Sequence, residues 1–222
     1  MRLSDLMTFL LLSLPALITC LMRFSLSGFI YRIFIDPLLS GLRKSVAEHV
    51  DPSYRVIDVA CGTGALSLAM AERAMHVTGI DLSDDMIITA QRTARRRGAT
   101  NVSFELHDAS DLSRFGAGEF DLAVTSMAVH QFEAQLAIRI LSEMKRISHG
   151  VIIADYNHDM PAGLPARISW GLERMAGGDH YHNFRIYMQN GGTPWFVKKA
   201  GMKIASETVR GGVFAVLKCE AI

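Results

Sequence analysis

A chain of 222 residues, half of them hydrophobic, is long enough for one packed domain with a small appendage, and its 23 basic against 22 acidic side chains leave a net charge of +1. That balance excludes a dedicated nucleic-acid surface, which needs a strongly basic face. Three cysteines, Cys20, Cys61 and Cys219, are odd in number and widely spaced, so they make neither a disulfide framework nor a CxxC metal site and favour a reducing compartment.

The chain opens on an uncharged run, Leu6 to Met22, flanked by Asp5 and Arg23. Its length is at the bottom of the range for a membrane-spanning helix. Three readings compete: a signal peptide with a weak small-residue site near Ser25 and Ser27, a membrane anchor or interfacial helix, or a lid or core helix over a hydrophobic substrate. Arg23, between the run and that site, counts against secretion. Arg23, Arg32, Arg43 and Lys44 follow the run while only Arg2 precedes it. A membrane-attached chain would therefore keep its remainder on the cytoplasmic, inner face. Residues 24–50 read as helical, interrupted at Pro37 and ended by Asp51-Pro52. The expected division is an N-terminal helical segment over residues 1–50 and a main domain over residues 51–222.

From Arg55 strands and helices alternate. Strands are expected over 55–60, 76–80, 102–106, 120–126 and 150–155, and helices over 64–74, 83–97 and 133–147. Ser83 is the expected N-cap of the second helix, with Asp84 and Asp85 in its first turn and Arg95, Arg96 and Arg97 before Gly98. That basic cluster therefore reads as a solvated helix terminus. Thr193-Pro194 begins a last helix, and residues 202–209 and 213–219 form two strands joined through Gly211-Gly212, a hairpin signal. The pattern predicts an α/β, Rossmann-like, seven-stranded sheet, mostly parallel with a C-terminal antiparallel hairpin and helices on both faces. In such a sheet ligands lie at the carboxyl ends of the strands.

The first strand–helix turn reads Asp58-Val-Ala-Cys-Gly-Thr-Gly64. Gly62 and Gly64 fit a dinucleotide fingerprint, but its third glycine is replaced by Ser67. Asp58, inside the strand, would repel a pyrophosphate and suits a cationic ligand. A nicotinamide-dependent oxidoreductase is the alternative these features disfavour.

These residues resemble the first motif of the class I S-adenosylmethionine (SAM)-dependent methyltransferases, with Ala60 at a position more often glycine. Asp81 ends the second strand, where the resemblance implies an acid that accepts hydrogen bonds from both ribose hydroxyls. Leu82 and Met86 then match the apolar adenine wall, and Asp108 and Ala109 the contact to the adenine amino group. Residues 120–132 (FDLAVTSMAVHQF) are similar to the fourth-strand motif, which adds Ser126. The implied cofactor site comprises Asp58, Ala60, Cys61, Gly62, Thr63, Gly64, Asp81, Leu82, Met86, Asp108, Ala109 and Ser126. The segment from Tyr31 to Arg43 resembles the preamble of the small-molecule branch, which includes quinone C-methyltransferases and phospholipid N-methyltransferases. In that branch Tyr31 would fold over the cofactor.

The branch shapes its substrate pocket in the segment between the fifth strand and the hairpin, residues 156–192 here. Its least ordinary stretch is Gly177 to Tyr187 (GGDHYHNFRIY). Asp179, His180 and His182 are possible metal ligands, but in an extended segment alternate side chains point to opposite sides, so no metal site is expected. His180 or His182 could serve as a general base. Tyr156, Tyr181, Phe184 and Tyr187 could enclose an acceptor, including a cationic amine, and Arg185 could bind its phosphate or carboxylate. His130, after the fourth strand, lies close to the transferred methyl in the family. The expected activity is methyl transfer to a hydrophobic or membrane-borne small molecule, either a lipid amine or a quinone-like ring. A soluble-metabolite acceptor, or a noncatalytic SAM-binding protein, are the alternatives.

Overall fold

The computed structural model describes residues 36–221. The apolar run at residues 6–22 and Tyr31 lie outside them. Two compact units are distinguished, Met1–Gly41 and Leu42–Ile222. Of the first, the described part is the opening of helix α1 (Asp36–Ala47), with Pro37 in the first turn, where its missing N–H leaves no bond unmade.

The second unit alternates strand and helix: β1 (Arg55–Val59), α2 (Ala65–Ala71), β2 (His76–Asp81), α3 (Asp84–Arg97), β3 (Val102–Leu106), β4 (Phe120–Ser126), a 3-10 turn (Val129–Gln131), α4 (Ala134–Ile147) and β5 (Ser148–Tyr156). Helices α5 (Leu164–Ala176), α6 (Gly178–Gln189) and α7 (Thr193–Lys199) follow, and β6 (Met202–Arg210) and β7 (Phe214–Ala221) close the chain. The seven strands form one sheet in the order β3-β2-β1-β4-β5-β7-β6, with β7 antiparallel to both β5 and β6. This is the expected architecture.

Local chemistry accounts for the elements. β1 is apolar apart from Arg55 at its start and the buried Asp58, because a central parallel strand is covered on both faces, and Val56, Ile57 and Val59 are fully buried. Ser83 Oγ caps α3 by accepting from Met86 N at 3.4 Å, and Gly98 ends it in the left-handed region at φ 66. Glu133 caps α4, its carboxylate accepting from the amides of Gln135 and Leu136. Gly211 and Gly212 both take positive φ between β6 and β7.

One expectation fails. Residues 177–187, read as extended, are helical. His180, Phe184 and Tyr187 stand at i, i+4 and i+7, and the last two are buried on one face of α6. Side chains therefore follow the helical period rather than a strand's alternation, and the helix sends His180 and His182 in different directions.

Candidate active site

The strand order reverses across β1 and β4, which places the site at the carboxyl ends of the central strands. Backbone strain collects there. Ala60, after β1, and Met127, after β4, are the non-glycine residues with positive φ among the described residues, at 60° and 55°. Gly62 and Gly64 continue the turn at φ 54 and 73. A Cβ at Gly64 would lie 2.6 Å from the Phe104 ring and 2.9 Å from Ala90 Cβ, so only glycine lets α2 start this close to its neighbours. At Gly62 a Cβ would meet nothing within 4 Å, which leaves that side of the turn clear for a ligand.

Asp81 ties this turn to the next. Its Oδ2 accepts from Gly62 N at 2.7 Å and its Oδ1 from Ser83 N at 2.9 Å. Each carboxylate oxygen keeps a second acceptor position, so a vicinal diol can bind both oxygens without breaking either backbone bond. Leu82 and Met86 beside it are 71% and 41% exposed, and Leu106 at the end of β3 is 55% exposed. Three large apolar side chains open to water next to a fixed carboxylate suit a ribose with its flat base. His107 N donates to Asp81 O, and Asp108, exposed, accepts from Ser110 N at 2.8 Å, a bond that holds its carboxyl below the usual carboxylate range. Ser126, at the end of β4, and Ala109, in the turn after β3, are partly buried, and Thr63 is exposed.

Asp58 is 1% exposed, and its Oδ2 accepts from Ser67 Oγ at 2.5 Å. Ser67 was singled out only as a missing glycine. It is the partner that holds Asp58, and its place on the first turn of α2, facing β1, was the available signal. Burial pushes the Asp58 carboxyl up to about 7, with Ser67 opposing and the charge of Asp81 adding to the rise. Burial likewise pushes the Cys61 thiol up, as do the charges of Asp58 and Asp81, and Cys61 packs against the cluster of Phe104 and Ile87. It packs there as a small apolar side chain.

On the other side of β4, side chains from distant parts of the chain meet. His130, in the 3-10 turn, is 1% exposed, and its Nδ1 lies 2.6 Å from Asp155 Oδ1 on β5. His130 Nε2 lies 3.6 Å from Glu173 Oε1 on α5. Glu173 Oε1 also accepts from Tyr156 OH at 2.8 Å, and Glu173 Oε2 lies 2.5 Å from His180 Nε2 on α6. Burial opposes a charged His130, but Asp155 and then Glu173 overcome it and raise its pKa. Burial likewise opposes a charged Glu173, and His180, His130 and Tyr156 together bring its pKa below the usual range. Glu173 had no assigned role in the sequence, and nothing there marks it as a neighbour of Asp155 or His180.

The other expected substrate residues divide. Tyr156, Phe184 and Tyr187 pack edge-on around His130, with ring centroids 4.9, 6.0 and 6.2 Å away, so the imidazole itself fills their aromatic enclosure. Tyr187 OH is bonded to Tyr156 O and Thr193 Oγ1 at 2.7 and 2.6 Å, a position that holds α6 on β5. Tyr181 is partly buried. His182 and Arg185 are exposed, away from the cluster.

Residues 56–149 match the family model described as a methyltransferase domain. An uncharacterized Mycobacterium tuberculosis protein is 30% identical over 151 residues, which cover 59% of this chain and 54% of that protein. The ubiquinone biosynthesis O-methyltransferase of Leptothrix cholodnii is 28% identical over 149 residues, covering 66% of this chain and 63% of that protein. The chain thus spans about half to two thirds of the length of these relatives. In structure it is similar to the magnesium protoporphyrin IX methyltransferase of Synechocystis PCC 6803 with bound S-adenosylhomocysteine, at a TM-score of 0.57, 20% identity and coverage of 84% and 83% of the two chains. Matching domain, sheet order and glycine turn agree: residues 56–149 are similar to a methyltransferase domain, set in a Rossmann-like sheet.

Proposed function

We propose that this protein transfers the methyl group of SAM to a small, hydrophobic, quinone-like acceptor bearing an ionisable hydroxyl. The observation that carries the reading is the Asp81 carboxylate, fixed by Gly62 and Ser83 yet with acceptor positions to spare, beside the open apolar surface of Leu82 and Met86. The residues present fit SAM: Asp81 for the ribose diol, Leu82, Met86 and Asp108 for the adenine, the clear side of Gly62 for the chain, and Asp58 for its positive end.

SAM supplies an already activated methyl donor, so the protein's part is alignment, desolvation and removal of the acceptor's proton. The acceptor would lie at the ends of β4 and β5, facing the part-exposed His180 and Trp170, with Glu173 behind His180. An amine need only be neutral to react, whereas a hydroxyl must lose a proton. A buried carboxylate between two imidazoles is the equipment the second case needs. The similarity to a ubiquinone O-methyltransferase supports the same acceptor class.

A membrane-borne acceptor is a further part of the proposal. No described helix is long and apolar enough to cross a membrane. Helix α5, however, exposes Leu164, Ile168 and Met175 along one face, with Arg167 and Arg174 also exposed, which favours contact with a lipid surface. The test is incubation with labelled SAM and a total lipid extract, followed by mass analysis. Label on an isoprenoid phenol or quinol supports the proposal. Label on an amine headgroup replaces the acceptor class, and label confined to soluble metabolites removes the membrane part.

A further inference from the structure

We propose that His130, Glu173 and His180 form a binding site for one divalent ion of the zinc class. One ligand atom from each lies within 4.8 Å of the others. The three come from separate elements, the 3-10 turn, α5 and α6, so only the folded chain assembles them.

The spacing approaches that of a coordination shell, with each imidazole facing a different oxygen of the Glu173 carboxylate. Ligand atoms about 2.0–2.1 Å from a tetrahedral ion sit about 3.4 Å from one another. His130 Nε2 and Glu173 Oε1 are already 3.6 Å apart. Glu173 Oε2 and His180 Nε2 are 2.5 Å apart, so an ion replacing the shared proton would spread that pair by less than about 1 Å. His180 is 31% exposed on its side chain, which leaves it free to make that small movement.

The surroundings orient the ligands as metal sites require. A metal-bound histidine usually gives its other ring nitrogen to a carboxylate, which sets the tautomer and turns the lone pair to the ion. His130 does this through Nδ1 to Asp155 Oδ1 at 2.6 Å, leaving Nε2 directed at Glu173. Tyr156 OH, donating to Glu173 Oε1 at 2.8 Å, fixes the carboxylate in the same way. Two buried carboxylates, Asp155 and Glu173, flank His130, and a divalent ion would compensate both.

Two imidazoles and one carboxylate suit zinc and its first-row neighbours better than magnesium or calcium, which prefer all-oxygen shells. Three protein ligands leave a position for a fourth. That position would take an oxygen of the acceptor, which narrows the acceptor class to hydroxylated or keto-bearing rings. This role rests on the methyl-transfer reading, whereas the binding of the ion does not.

The test uses the untagged full chain, stripped with a chelator and titrated with Zn²⁺ by calorimetry and with Co²⁺ by visible absorption. The expected result is one ion per chain, with the intense visible bands of four-coordinate cobalt. His180→Ala should weaken binding at least about 100-fold, since losing a ligand costs more than losing one of its orienting partners. Glu173→Gln should do the same, and His182→Ala, on another face of α6, should leave affinity unchanged. Binding that is absent, or that follows His182 and ignores His180, overturns the proposal. Titration with SAM on the same samples separates the two readings. SAM binding without Zn²⁺ binding removes the metal site alone, and Zn²⁺ binding without SAM binding removes the methyl-transfer reading alone.

Discussion

The two sides of the sheet's carboxyl edge are built by different means. On the β1–β3 side the site is made of backbone turns, an aspartate at a strand end and open apolar surface. Each part lies within a few residues of a strand terminus. On the β4–β5 side it is made of buried side chains, and its members are spread from His130 to Tyr187 in sequence. The first construction leaves room for a ligand by keeping side chains away, as at Gly62. The second fills its space and satisfies nearly every polar atom, as at Tyr187 and Glu173. One side is therefore expected to govern cofactor affinity, and the other to govern acceptor chemistry and the packing of α5 and α6.

The sharpest way to break this division is Asp81→Ala. It removes two backbone bonds to a charged acceptor together with the proposed partner of the ribose, so SAM affinity should fall at least about 100-fold, on the order of 3 kcal/mol, while the fold persists. Gly64→Ala tests the backbone side by another route. Its Cβ collides with Phe104 and Ala90 at a positive φ, and unfolding in urea should show a loss of about 2–3 kcal/mol.

Asp58 offers a pH test. Its folded pKa of about 7 lies above the ordinary 3.8, so the folded state favours the protonated form. The stability this contributes is fully present below about pH 4 and is lost as pH rises towards 7. Urea unfolding between pH 4.5 and 7.5 should therefore show a decline in the wild type that Asp58→Asn lacks. A cationic ligand should reverse the preference, and SAM binding near pH 7 should release a fraction of a proton, read as a heat that varies with the buffer. A buffer-independent heat would contradict the pairing of Asp58 with a positive group.

Tyr187→Phe probes the side-chain half. It removes the hydroxyl that bonds Tyr156 O and Thr193 Oγ1, and a loss of about 1–2 kcal/mol in stability with unchanged SAM affinity is expected. The smallest effect belongs to Ala60→Gly, which relieves a left-handed alanine at φ 60 and should change stability by no more than about 1 kcal/mol.

The same division explains what the sequence disclosed. A glycine turn, a strand-end acid and a capped helix are local features, so Gly62, Gly64, Asp81 and Ser83 were legible with their elements, and strand β3 matched residue for residue. The cluster on the other side depends on where helices α5 and α6 land. No local rule pairs His130 with Asp155, or Glu173 with His180. Residues 177–187 were read as an extended segment, yet the i, i+4, i+7 spacing of His180, Phe184 and Tyr187 already carried the helical period. Ser67 shows the opposite error, a residue read for what it lacked when its hydroxyl holds the buried Asp58.

The most direct measurement is a calorimetric titration of SAM, with NADH in parallel, into the wild-type chain, Asp81→Ala and Tyr187→Phe. The prediction is one SAM per chain, no heat from NADH, affinity lost in Asp81→Ala and retained in Tyr187→Phe. Binding of NADH in place of SAM, or SAM affinity indifferent to Asp81, would contradict the assignment of the β1–β3 edge as the cofactor site.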